Sequence, residues 1–159
     1  NIYMRLIPDN AAFRYLTNLL HELFHHYSNA GSGLPVFVDV GMTDYLSYKS
    51  FNLSDYEIAD ATGYFKEAQT VMALLEKIPE REIMTAYFSG NAKMFETSFK
   101  KAFPGADYDT FLSKGDAMVK ETFEEISPTF ELGFLDTPID HPAVQDIRTF
   151  LGLEPKKFF

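Results

Sequence analysis

The chain has 159 residues, 46% hydrophobic and 23% charged, with a formal net charge of −9. That length and balance fit one domain with a real core and exclude a disordered chain. No apolar run is long enough for a transmembrane helix, and an acidic surface that repels phosphate disfavours nucleic acid.

Cysteine is absent. This rules out a disulfide framework and any thiolate metal site, so a metal would have to use His and carboxylates. Sixteen Phe and nine Tyr with no Trp predict an aromatic-rich core. The chain opens on Asn1 and reads as a piece of a longer protein. Compartment, cytoplasmic or extracytoplasmic, and oligomeric state stay open.

Taken in order, residues 2–7, "IYMRLI", read as one short strand ended by Pro8. A long helix follows over about 10–28, with Asp9 or Asn10 as its cap. Phe13, Leu16, Leu20, Leu23, Phe24 and Tyr27 form its apolar stripe at helical spacing. "SNAGSGLP" (28–35) is a Gly/Pro loop. "VFVD" reads as a brief extended piece, with Asp39 able to cap a helix running to about Phe51. Ser54 and Glu57 fit a capping box for a short helix.

Helices are further predicted over 64–78, stopped by Pro79, and over 80–89, 92–103 with Asn91 as cap, and about 108–126. Gly90 and the Pro104-Gly105 pair punctuate them. After a loop-rich stretch with Pro128 and Pro138, a last helix is predicted near 142–151, ending at Gly152. The expected fold is mainly α, in one domain over 1–159, with at most a rudimentary N-terminal strand.

Chemistry concentrates in "HELFHHY" (21–27), where His21, Glu22 and His25 spell H-E-x-x-H. Residues four apart stand on one helix face, so His21 and His25 can hold one ion with two imidazoles. By rotation of about 100° per residue they lie away from the stripe, beside Arg14 and Asn18, which predicts a cleft-facing pair. Glu22 can reach a metal-bound water and accept its proton. The competing reading is an exposed polar helix face with no metal. His26 points elsewhere and reads as a surface or packing residue.

Three further segments sharpen the reading: "VGMTDYLSYK" (40–49), "GYFKEAQTVMALLEKI" (63–78) and "TAYFSGN" (85–91). Over roughly residues 15–103 their order and spacing resemble zinc peptidases of the gluzincin type. Bacterial members follow H-E-x-x-H with a helix opening "EGxTEYL" and a later segment like "AYFSG". The resemblance implies a zincin-like helical domain that hydrolyses peptide or protein substrates through a zinc-activated water. It gives His21 and His25 as metal ligands and Glu22 as the general base. Asp44 matches the acid one turn past the third ligand, which in the family hydrogen-bonds a ligand His.

The third-ligand Glu itself falls on Val40, which cannot bind zinc. Asp44 is therefore the expected makeshift ligand, with Asp39 as the alternative. A degenerate pseudopeptidase that acts as a binding module is the competing outcome, and Val40 as a peculiarity of this chain is a third. The tail segment "DTPIDHP" (136–142) offers His141 as an oxyanion donor supported by Asp136 or Asp140. The structural alternative is that Asp140 or His141 caps the helix begun by Pro142. Tyr45 and Tyr87 are other candidate phenol donors.

Overall fold

Proline, glycine and asparagine cut the chain into helices of two to five turns. In the computed structural model, residues 11–28, 33–53, 65–126 and 141–156 are described. Seven helices occur among them, and no strand: α1 (Ala11–Tyr27), α2 (Val36–Lys49), α3 (Phe65–Leu75), α4 (Glu80–Ser89), α5 (Ala92–Ala102), α6 (Tyr108–Ile126) and α7 (Pro142–Phe150). The fold is mainly α. The expected strand at 2–7, the Ser54–Glu57 capping box and both Asp136 and Asp140 lie outside the described residues. No helix among the described residues is long and apolar enough to cross a membrane.

The stop signals act as their chemistry dictates. Gly90 takes a left-handed φ of 61° to end α4, and the Asn91 side chain then accepts the Met94 N–H to start α5. Gly152, at φ 68°, closes α7, while the N–H of Leu153 reaches back to the Arg148 carbonyl at 2.9 Å. Arg148 is buried and donates to Glu76 at 2.7 Å, which ties α7 to the end of α3.

The start of α2 differs from the expectation. Val36 to Asp39 are helical rather than extended, and Asp39 sits in the first turn instead of capping it. Pro35 ends the loop with ψ 136°, and its carbonyl accepts both the Val38 and Asp39 N–H groups at 2.9 Å. The burial pattern explains why. Phe37, Val38, Gly41, Met42 and Tyr45 are buried, a helical spacing, whereas a strand would have buried alternate residues.

Helix α2 is the centre of the molecule. It packs against α1, α3, α4 and α6, and nine of its fourteen residues are buried. Two glycines permit that closeness. A Cβ on Gly41 would lie 2.4 Å from the Glu67 carbonyl oxygen of α3. On Gly115 of α6 it would lie 2.1 Å from the Phe37 ring. The aromatic core then grows outward from Phe37, which meets Phe111 edge-on at 5.1 Å; Phe111 stacks on Phe99 at 4.5 Å.

Gly41→Ala should therefore destabilise the fold by about 1–3 kcal/mol, because the obstacle is backbone and cannot rotate away. Gly105→Ala meets nothing within 4 Å and should stay within about 0.5 kcal/mol of the parent. Urea unfolding of both variants gives the comparison directly.

Candidate metal centre

Helices α1 and α2 run antiparallel, and a polar seam joins them. His21 Nδ1 lies 2.6 Å from Asp44 Oδ1. One turn further along α1, His25 Nδ1 lies 3.4 Å from Thr43 Oγ1 and 3.5 Å from Asp39 Oδ2. The two imidazoles meet edge-on with centroids 4.6 Å apart. The sequence thus brings together the residues that it marked as a pair, and attaches each to an acid of α2.

The orientation of α1 corrects the cleft-facing expectation. Thr17 and Ser28 are buried, and Leu20, His21, Phe24 and His25 are half-buried, so this is the packed face. Leu16, Leu23 and Tyr27 of the expected apolar stripe are exposed instead. The cause lies on α2, whose side toward α1 carries Asp39, Thr43 and Asp44. Burying such groups against leucine would leave them unsatisfied, at a cost of one to several kcal/mol apiece, roughly. The histidine face can pair with them.

Thr43 is fully buried and connects three elements. Its hydroxyl donates to the Asp39 carbonyl at 2.8 Å and lies 2.7 Å from Tyr87 Oη of α4. A threonine hydroxyl has one proton, so Tyr87 must be the donor in the second bond. Burial pushes the Tyr87 phenol above its ordinary range, opposed by hydrogen bonds to Ser28 and Thr43, which keeps that donor proton in place. Tyr87 is thus a structural strut beside the histidines. Thr43 had no place among the expected site residues; its position four residues after Asp39, between the two acids, was the available signal.

Asp39 is the least comfortable group of the seam. Its Oδ1 is buried with no hydrogen-bond partner. Desolvation raises its carboxyl above the ordinary 3.8, with His25 and His21 pulling the other way. Tyr45 is engaged elsewhere, since Lys49 donates to its hydroxyl at 2.6 Å and to Glu80 at 2.8 Å. His141 serves as the N-cap of α7, its Nδ1 accepting the Ala143 N–H at 3.2 Å. The capping alternative is the one seen, and α7 packs on α3 and α6.

A three-ligand zinc centre is a different matter. Among the described residues, no group of three His, Asp or Glu side chains is arranged to hold a metal ion. Among them the expected set of His21, His25 and Asp44 is not assembled; the Asp44 carboxylate is engaged with His21 Nδ1 at 2.6 Å. Val40, one turn earlier on the same face of α2, offers only carbon. Glu22 is exposed. A groove of about 640 Å³ runs along α4 past Met84 and Phe88, and another of about 570 Å³ lies where α2 meets α5 and α6. Neither is lined by His21, Glu22 or His25. The donor set present does not fit zinc in the gluzincin manner.

Two acids of one seam should answer oppositely to removal. Asp44→Ala breaks a short hydrogen bond in a mostly buried place and should cost about 1–3 kcal/mol. Asp39→Asn removes a carboxylate that burial disfavours, and should raise the melting temperature near pH 7. The raised pKa means that the folded state resists ionisation. The destabilisation is therefore absent below the unfolded value of 3.8, grows as pH rises above it, and is complete once pH passes the folded value. Melts of parent and Asp39→Asn should accordingly converge at the acid end of the range.

Comparison with protein-family models, with curated proteins and with solved structures found no match for this chain.

Proposed function

We propose that this chain is a metallopeptidase-like helical domain that keeps the paired histidines of H-E-x-x-H but lacks the full ligand set, and that it serves as a binding module for a peptide or protein partner. The observation that carries the reading is the division of labour on α2. Asp44 is spent on His21 Nδ1, and valine stands at position 40, where the resemblance calls for a ligand. Three protein ligands are the norm for catalytic zinc. Two imidazoles alone make a weak, readily exchanging site.

A second reading, a working zinc peptidase, has one specific observation in its favour. A carboxylate on the Nδ1 of a histidine is how metal-ligating imidazoles are ordinarily oriented, and His21 has one. This reading requires a further ligand from outside the described residues. Glu22, exposed and adjacent to both histidines in sequence, would be its proton acceptor.

Zinc titration beside a peptidase assay separates the two. The binding-module reading expects no stoichiometric zinc at micromolar metal, and no hydrolysis of a peptide pool beyond that of Glu22→Gln. It also expects Val40→Glu to tighten zinc at least tenfold, or about 1.4 kcal/mol, because a half-exposed position on the seam gains an anionic ligand. One tightly held zinc per parent chain, with hydrolysis abolished by Glu22→Gln, would establish the peptidase. Unchanged zinc affinity in Val40→Glu would show that position 40 does not face the imidazoles.

A further inference from the structure

The rotation of α1 that buries its histidines leaves an exposed apolar surface among the described residues. Tyr15 is 70% exposed, Leu16 44%, Leu19 45%, Leu23 40% and Tyr27 71%. At about 100° per residue these five lie within an arc of about 120°, roughly opposite the imidazoles. The same arc holds His26 and no carboxylate; Glu22 stands at its edge. In a chain of net charge −9, such a face is neither a solvated surface nor a docking site for a basic partner.

We propose that this face of α1 pairs with the same face of a second copy of the chain. The order of the side chains supports the pairing. Tyr15, Leu19, Leu23 and Tyr27 recur every four residues, and the row Tyr-Leu-Leu-Tyr reads the same in both directions about position 21. A two-fold axis through that point sets Leu19 of one copy against Leu23 of the other, and Tyr15 against Tyr27. This is the self-complementarity that an isologous dimer requires.

The areas agree. The exposed parts of the five residues amount to on the order of 550 Å² per chain, already the size of the largest apolar patch that a monomer ordinarily carries. Two copies bury at most on the order of 1,100 Å², which reaches the roughly 1,000 Å² that a specific interface needs. The dimer is therefore small and concentration-dependent, with the acidic remainder of each copy opposing it.

Sedimentation velocity over a concentration series tests the proposal. A monomer–dimer equilibrium is expected for the parent chain, and monomer at every concentration for Leu19→Glu and for Leu23→Glu. Both positions are exposed and Glu is a good helix former, so circular dichroism should show unchanged helix content. The chain has no native cysteine, which allows a second reading of the geometry. Tyr15→Cys mixed with Tyr27→Cys should oxidise mainly to the mixed disulfide, and each alone should link far less. A parent that is monomeric throughout would overturn the proposal and leave the face to a different partner. A dimer that survives Leu19→Glu, or cysteines that link only to their own kind, would place the interface or its symmetry elsewhere and overturn it equally.

Discussion

Two carboxylates and a hydroxyl on a helix buried almost all round set the terms for the rest of this structure. Helix α2 carries Asp39, Thr43 and Asp44 on the side that α1 covers. Their burial is tolerable only if the covering helix brings partners. Helix α1 does so by turning His21 and His25 inward, at the expense of its own leucines. The polar seam thus decides the rotation of α1, the orientation of both imidazoles and the exposure of the Leu16, Leu19 and Leu23 row. Thr43 extends it to Tyr87 and so to α4.

This gives the histidines a structural reason to exist apart from any metal. An H-E-x-x-H segment whose imidazoles pair with buried acids holds its place through packing and hydrogen bonding alone. That is the physical content of the binding-module reading, and Val40 is consistent with it: once the imidazoles have a structural task, an anionic third ligand is not needed to retain them. The freed leucine row is the other product of the same rotation, and it points toward self-association on the side of α1 away from the seam.

Much of the fold was legible because its punctuation is local. Pro79, Gly90, Asn91 and Pro142 act within a turn or two of where they stand: both ends of α4 and the starts of α5 and α7 fall where those residues predict. The start of α2 was not legible. "VFVD" is a short apolar, β-branched run after a proline, and only its burial pattern in a packed interior distinguishes a central helix from an extended run. The packed face of α1 was hidden for a related reason. Leu16, Leu23 and Tyr27 of its apolar stripe point away from the side that packs while Leu20 and Phe24 lie on it, and nothing within α1 reveals that its partner helix is polar there. In the site, the pairing of His21 with His25 follows from their spacing, and the contact of Asp44 with His21 matches what the resemblance implies. The Thr43–Tyr87 link joins residues 44 apart in sequence and depends on tertiary packing that no local pattern encodes.

The polar seam stands on the contact of Asp44 with His21 Nδ1. Long-range proton–nitrogen correlation spectra of the imidazoles, recorded where the rings are neutral, measure it directly. His21 should carry its proton on Nδ1, donated to the Asp44 carboxylate, and Asp44→Ala should shift the ring toward the Nε2-protonated tautomer common in solution. A parent His21 already protonated on Nε2, with a spectrum indifferent to Asp44→Ala, would contradict the seam and the reading of the site built on it.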